Sequence, residues 1–266
     1  MDAFQVDELK LYLGSSIQIA HGVALSQPTV GEIADYGERE YFHMAQMLCS
    51  TPSSMKVFLD DNHLDWMKIS DFELFAMLCK MGAFPQSGTS LLLGDLDLSS
   101  LKLHEFGDGD VVLTNRDFVK DGEKPIVIND IIYTILTTYL RKMHGFKKQV
   151  DTAKNEITRR VLIDEDRKAA NRDRDKPYKT FLLPMISALQ GRQGYTREYI
   201  RNMGLYEFTN QFHRVQIIVQ ADAALNGMYS GFVDTKKMDK TVLDWTRDIS
   251  EDSNKKNQTP LNEGAN

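Results

Sequence analysis

The acidic residues are the closest approach to a metal site in this sequence. Calcium binds six to eight oxygen ligands, which a closely spaced loop of carboxylates can provide. Two pairs of aspartates stand thirteen positions apart among turn residues: Asp95 and Asp97, then Asp108 and Asp110. Because short polar side chains in such segments usually hydrogen-bond to their own backbone, the pattern favours turns over a metal. We predict no metal ligand, and no carboxyl pair stands out as a general acid and base.

The motifs that carry common enzyme chemistry are missing. The six histidines are scattered, and the sequence contains no HExxH, GxGxxG, GxxxxGK[ST] or GxSxG motif. Zinc hydrolases, dinucleotide-binding enzymes, P-loop nucleotidases and serine hydrolases of the usual kinds are therefore disfavoured. We predict no catalytic residue and no cofactor. An enzyme whose site is assembled from distant residues remains an alternative.

Two basic pairs form the candidate partner-binding site, Arg159 with Arg160 and Arg167 with Lys168. Each pair could contact phosphate groups. The acidic run Asp164-Glu165-Asp166 lies between them and would repel a nucleic-acid backbone. The pattern therefore disfavours nucleic acid and is typical of a solvated face of mixed charge, on which the four cations could contact a protein.

These pairs belong to the most charged segment, residues 147–176, which holds ten lysines and arginines and seven acids. Its apolar residues keep helical spacing and form one thin edge: Val150, Ala153, Ile157, Val161 and Leu162. Pairs such as Glu156 with Arg160 and Asp164 with Lys168 would each contribute roughly 0.2–0.5 kcal/mol. We predict a long helix that is weakly held in the free protein and becomes ordered against a partner.

Composition limits the protein class. The chain has 266 residues, of which 42% are hydrophobic, so it can bury a core in one or two domains. Its net charge of −6 argues against general binding to nucleic acid or to anionic membranes. The sequence shows no secretory signal or membrane span. Cys49 and Cys79 form no CxxC motif, which predicts core thiols in a reducing compartment.

Local signals predict a chain dominated by helices. Thr29 with Glu32 and Ser70 with Glu73 are capping boxes at helix starts, and a further helix follows Thr51-Pro52. Asn129 and Gly145 bracket another helix. The longest amphipathic pattern covers 205–228 and is followed by a short closing segment in which Trp245 is expected to dock.

Strand signals occupy two regions. Leu9, Leu11 and Leu13 alternate with polar residues, as do Ile17 and Ile19 after a Gly-Ser-Ser turn, which predicts an N-terminal hairpin. A second group begins with Leu91-Leu92-Leu93 and includes a hairpin turn at Gly107-Asp108-Gly109-Asp110.

The predicted fold class is α+β, predominantly α-helical, with a disordered C-terminal tail. We predict an N-terminal β-hairpin over 1–28, a helical body over 29–87 and 129–249, an inserted small β subdomain over 88–128 and a tail over 250–266.

The junction from hairpin to helix carries a family resemblance. Two short strands lead into Gln27-Pro28-Thr29-Val30-Gly31-Glu32-Ile33, which resembles the opening of tail assembly proteins of tailed bacteriophages. Two later stretches are similar to phage morphogenesis sequences: Ile69-Ser70-Asp71-Phe72-Glu73-Leu74-Phe75, and Asn226-Gly227-Met228-Tyr229-Ser230-Gly231.

This resemblance implies a non-enzymatic tail assembly chaperone in the host cytoplasm. Such a protein would bind other tail proteins of the tape-measure or tail-tube type through apolar grooves with a charged rim. The 88–128 insertion departs from the compact helical pattern of that family. A structural component of the virion tail or baseplate is therefore the alternative, with the insertion forming an intersubunit sheet contact.

Overall fold

Helices dominate the computed structural model, which describes residues 4–105, 111–120, 122–173, 176–230 and 240–249. Helices make up 58% of the described residues, beside two small antiparallel sheets, so the fold is α+β and mainly helical, as predicted. The α-helices are α1 Glu8–Tyr12, α2 Val30–Tyr36, α3 Glu38–Leu48, α4 Lys56–Asp61, α5 Asp71–Lys80, α6 Gln86–Leu93, α7 Asp130–His144, α8 Glu156–Asp173, α9 Leu182–Gln193, α10 Arg197–Asn202 and α11 Leu205–Tyr229. The strands are β1 Ile17–Ala20, β2 Val23–Leu25, β3 Lys102–Glu105, β4 Val111–Thr114 and β5 Val127–Ile128.

Three of the predicted caps begin their helices, whereas the helix predicted to start at Thr51-Pro52 begins later, at Lys56 of α4. Both capping boxes form, at the start of α2 and of α5. Asn129 accepts from the backbone N–H of Ile132 at the start of α7, and Gly145 ends that helix with a φ of 68°. Gly37, at a φ of 115°, splits the first predicted helix into α2 and α3, because a non-glycine residue would be strained there.

The N-terminal hairpin lies further along the chain than predicted, because the first predicted strand is a helix. Leu9–Leu13 is helical rather than extended, because Asp7 accepts from the backbone N–H of Lys10 and starts α1. Leu11 is buried, whereas Leu9 and Leu13 are exposed. The hairpin is β1 paired with β2, in the register Ile17↔Leu25.

The second strand region is shorter than predicted. Leu91-Leu92-Leu93 belongs to α6, because Pro85 starts a helix there instead of ending one. Strands β3, β4 and β5 form an antiparallel sheet in that order. The predicted turn at 107–110 and the predicted tail at 250–266 lie outside the described residues. The limits of an inserted subdomain remain a prediction.

One apolar core joins the early helices to α7. Phe75 of α5 stacks on Tyr133 of α7 with ring centroids 4.5 Å apart, and the Tyr133 hydroxyl donates to the Leu48 carbonyl. Cys49 and Cys79 are buried thiols, as predicted, and burial raises the pKa of each to about 12. Neither is a reactive thiolate at neutral pH.

The Pro-Thr junction packs on the C-terminal half of the chain. The Val30 N–H donates to the Met203 carbonyl at 2.9 Å, and the Leu205 N–H donates to the Pro28 carbonyl at 3.0 Å. A Cβ at Gly204 would lie 2.8 Å from Cδ of Gln27, so glycine permits this close approach. Residues whose spacing suggested a family resemblance therefore join α2 to α11.

The closing segment differs from the prediction. Trp245 is 54% exposed and does not dock, whereas Arg247 is buried. The Arg247 guanidinium donates to the Val242 carbonyl and to the Gln220 side chain, each at 2.9 Å. The two carbonyl oxygens at this site need hydrogen-bond donors. An arginine guanidinium has five N–H groups, whereas a tryptophan ring has only one, so arginine suits this buried position better.

Candidate functional site

A cleft of about 970 Å³ lies between the end of α7, the start of α9 and one face of α11. Aromatic rings and ionisable groups both line it. The aromatic residues are Phe42, Phe146, Tyr178, Phe181 and Tyr206, and the ionisable ones are Glu8, Lys142, His144, Lys179, His213, Arg214 and Asp248. A large concave surface with both kinds of side chain is the strongest candidate binding site in the described residues.

The aromatic side chains of the cleft pack against one another. Phe42 and Phe181 meet edge to face with centroids 5.5 Å apart, and His144 stacks on Phe146 at 4.9 Å. Phe181 is still 49% exposed. Tyr178 is 46% exposed. The floor is therefore prearranged, while these two rings remain available to an incoming apolar side chain.

His144 at this floor is buried and neutral. Its Nδ1 lies 2.7 Å from the Leu140 carbonyl, which can only accept, so Nδ1 carries the proton. Its Nε2 then accepts from the Tyr41 hydroxyl at 2.7 Å. Burial lowers the pKa of His144 to about 4. Both nitrogens are engaged, so the imidazole supports the floor rather than offering an acid or base to the cleft.

An ion pair ties the N-terminal helix to the cleft wall. Glu8 of α1 lies 2.7 Å from the Lys142 ammonium of α7 and accepts from the Tyr206 hydroxyl of α11, also at 2.7 Å. Burial and the Glu8 carboxylate raise the pKa of Tyr206, so its hydroxyl stays protonated. One carboxylate thus joins three helices around the cleft.

Glu38 positions the loop that leads into α9. Its carboxylate accepts from the backbone N–H groups of Phe181 and Leu182 and from the Thr180 hydroxyl. No side chain within α9 itself caps that end. A carboxylate at a helix N-terminus is favourable, because free N–H groups and the helix dipole point at it. Burial and then Glu38 raise the pKa of the adjacent Tyr178 to about 12.

We expect Glu38→Gln to lower the free energy of unfolding by about 1–2 kcal/mol, because the charge-assisted caps of α9 are lost. Urea denaturation at neutral pH measures the change. Glu40→Gln is the matched control, since Glu40 is exposed two residues away. Equal losses in the two variants would contradict the role of Glu38.

The four predicted partner-binding residues divide into two kinds, and none lines the cleft. Arg159 pairs with Asp65 at 3.0 Å, and Arg167 pairs with Asp60 and Asp61, so both bind the protein's own body. Arg160 is 77% exposed and pairs with Glu156 at 3.4 Å. Lys168 is exposed. Contact of these residues with a partner stays a prediction.

The predicted 147–176 helix begins later than expected, at Glu156. Asp164 pairs with Arg167 at 3.9 Å, while Lys168 is its predicted partner. Ile163 is buried, and the apolar residues Ile157 and Val161 point outward. Contacts with other elements rather than pairs along its own surface therefore hold α8.

A buried lysine anchors this helix, and the sequence analysis missed it. Lys56 is 1% exposed, and its ammonium lies 2.7 Å from Asp151 and 2.6 Å from Asp166. Desolvation lowers the pKa of Lys56, but hydrogen bonds and charges from the two aspartates outweigh it, so that pKa is raised. The only signal in the sequence is a lysine between Met55 and Val57 on a short apolar helix. We call these three residues the Lys56 cluster.

The described residues contain no group of three or more His, Cys, Asp or Glu side chains that could hold a metal ion. Asp97, from the predicted acidic cluster, accepts from the Ser99 N–H at 2.9 Å, as expected for a turn. Asp108 and Asp110 lie outside the described residues. Within those residues, no helix is both long and apolar enough to cross a bilayer.

Residues 174–250 match a family model, the YomV second domain. That family is phage-derived, from a Bacillus prophage, so the match associates this chain with bacteriophage proteins. The match covers less than a third of the chain and includes α9, α10 and α11. No curated protein and no solved structure matches. The matched segment supplies one wall of the cleft, and the helices before it supply the other.

Proposed function

We propose that this protein is a bacteriophage morphogenesis factor of the tail assembly chaperone kind. It binds a segment of another tail protein in the cleft and catalyses no reaction. The observation that carries the proposal is the cleft itself, whose α9 and α11 wall comes from the segment similar to a phage family. An aromatic groove with a charged rim suits an amphipathic helix, which is held while free and released on assembly.

The carboxylate and the buried imidazole described above support binding over catalysis. Glu8 is committed to Lys142 and Tyr206, and His144 to Tyr41 and Leu140. A catalytic pair would need an acid or base within reach of a substrate and with a pKa suited to the reaction. These side chains instead join helices to one another.

The proposal is tested by co-expression with the tape-measure protein encoded in the same phage genome, in the host cytoplasm where the complex would form. We expect the two chains to co-elute and the tape-measure protein to stay soluble. Phe181→Ser should reduce co-elution several-fold, because it removes an exposed apolar ring of the cleft. Leu183→Ser is the control, since Leu183 is 60% exposed and does not line the cleft. Tape-measure protein that precipitates whether or not this protein is present would refute the proposal.

A structural virion protein is the second candidate, supported by strand β3. This strand forms one edge of the sheet, and its Leu103 is 56% exposed. An edge strand presents unpaired backbone groups that a neighbouring subunit can extend. Mass spectrometry of purified particles separates the two functions, because a chaperone leaves before maturation and a structural subunit remains.

A further inference from the structure

A second concavity of about 620 Å³ adjoins the cleft. Arg39, Lys176, Pro177, Tyr178 and Lys179 line it, and Tyr178 and Lys179 line the cleft as well. The shared residues lie on the loop that Glu38 fixes at the start of α9. The two concavities therefore form one continuous surface, on which this loop is the ridge.

This surface is cationic on a protein that is acidic overall. Its lining carries five basic side chains, from Arg39, Lys142, Lys176, Lys179 and Arg214, against the two carboxylates Glu8 and Asp248. The carboxylate of Glu38 also lies at the ridge, where it accepts from the backbone N–H groups of Phe181 and Leu182. The whole chain has a net charge of −6. A local excess of the opposite sign attracts an acidic ligand and repels a basic one.

The cations of this surface differ in whether a carboxylate of the protein neutralises them. Lys142 is neutralised by Glu8 at 2.7 Å. Arg214 donates to the backbone carbonyls of Trp245 and Arg247, which hold its position without cancelling its charge. Within the described residues, neither Arg39 nor Lys179 has a carboxylate within ion-pair distance. The ridge and its two sides can therefore pair with carboxylates of a ligand.

The aromatic residues favour a protein ligand over single-stranded nucleic acid. Bases bind to flat, open ring faces beside cations. Here His144 covers one face of Phe146, and Phe42 and Phe181 meet edge to face. Such a floor receives branched or aromatic side chains between its rings rather than stacked bases.

We propose that the partner segment is an acidic amphipathic helix. Its apolar side chains enter the cleft beside Phe181, and its carboxylates pair with Lys179, Arg39 and Arg214. The inference rests on the proposed function, since it identifies the kind of segment that the chaperone holds. Two joined concavities of about 970 Å³ and about 620 Å³ form an extended surface that suits a helical segment rather than a small molecule.

The test uses the full-length protein and two fluorescein-labelled synthetic helices. Both carry leucine and phenylalanine at helical spacing, and one has glutamate and the other lysine at the remaining positions. Fluorescence anisotropy should show the glutamate peptide binding at least roughly tenfold more tightly. Its affinity should fall between about 50 mM and about 300 mM NaCl, since exposed charges are screened.

Charge-reversal variants locate the binding surface. Arg39→Glu with Lys179→Glu should weaken the glutamate peptide at least roughly tenfold. Arg160→Glu with Lys168→Glu makes the same change of charge on α8, away from the cleft, and should leave binding nearly unchanged. A loss in the α8 variant alone would overturn the cleft proposal and favour the sequence-based site.

Three other results would also overturn the inference: binding of neither peptide, equal binding of both, or displacement of the glutamate peptide by a single-stranded oligo-dT. The proposed function can fail separately. If the tape-measure protein does not co-elute but the glutamate peptide binds as described, the surface is correct and the biological partner is different. If co-elution occurs and is insensitive to Arg39→Glu with Lys179→Glu, the function stands and this surface does not carry it.

Discussion

Asp151→Asn combined with Asp166→Asn is expected to lower the free energy of unfolding by roughly 3–5 kcal/mol. The two substitutions leave the Lys56 ammonium, 1% exposed, without a counter-charge. Burying an unpaired charge is costly, and asparagine offers only a neutral carbonyl in its place. Urea denaturation at pH 7 measures the loss. Asp164→Asn is the control, because Asp164 lies on the same helix with its side chain 62% exposed.

Removing the lysine and removing the two carboxylates of the Lys56 cluster should lower the free energy of unfolding by different amounts. Lys56→Met is expected to cost less than the double aspartate variant, because methionine fills the buried volume of the lysine stem. The carboxylates that remain are 27% and 40% exposed at their side chains, so water can solvate them. If Lys56→Met costs as much as the double variant or more, the ion pairs and not the desolvated lysine govern stability here.

Hydrogen exchange reports on the attachment of α8 directly. Three cations of residues 148–167 pair with aspartates of residues 60–71: Lys148, Arg159 and Arg167. In the reverse direction, Lys56 pairs with Asp166 of α8. Few apolar side chains support them, since Ile163 is the buried residue of α8. The weak attachment inferred from the sequence therefore stays a prediction, checked by comparing exchange over α8 with that over α11.

The sequence predicts those parts of the fold that local hydrogen bonds determine. Thr29 caps a helix through a residue three positions away, and so do Ser70 and Asn129. Such pairs can be recognised in the sequence because spacing alone brings them together. The strand predicted over Leu9–Leu13 is wrong, because alternation over five residues also fits one turn of helix. Asp7, just before this segment, caps the helix and stabilises it.

The site depends on contacts that spacing cannot reveal. Glu38 caps a helix that begins 144 positions later, and Lys56 meets Asp151 after 95 positions. Tyr41 and His144 are 103 positions apart. In the sequence alone, each of these residues resembles an ordinary surface acid or an ordinary ring of the core. Their roles arise only when α3, α4, α7 and α9 pack together, so the sequence pattern points to the cations of α8 and does not reveal the cleft.

His144 should make the stability of the protein sensitive to mild acid. Its pKa is about 4 in the folded protein, against 6.5 for an unperturbed histidine. Below about pH 6.5 the imidazole of His144 binds a proton in the unfolded chain but not in the folded protein. The free energy of unfolding therefore falls as the pH falls towards 4. The loss from this group is roughly 2 kcal/mol between pH 7 and pH 5, and roughly 3 kcal/mol in full.

The variant His144→Gln isolates this contribution. Glutamine can donate and accept a hydrogen bond but does not titrate, so its loss of stability from pH 7 to pH 5 should be smaller than that of the native protein by roughly 2 kcal/mol. Carboxylates titrate alike in both proteins and cancel in the comparison. His43→Gln, at an exposed position on α3, should retain the native pH dependence. An unchanged pH dependence in His144→Gln would show that another group controls the acid response.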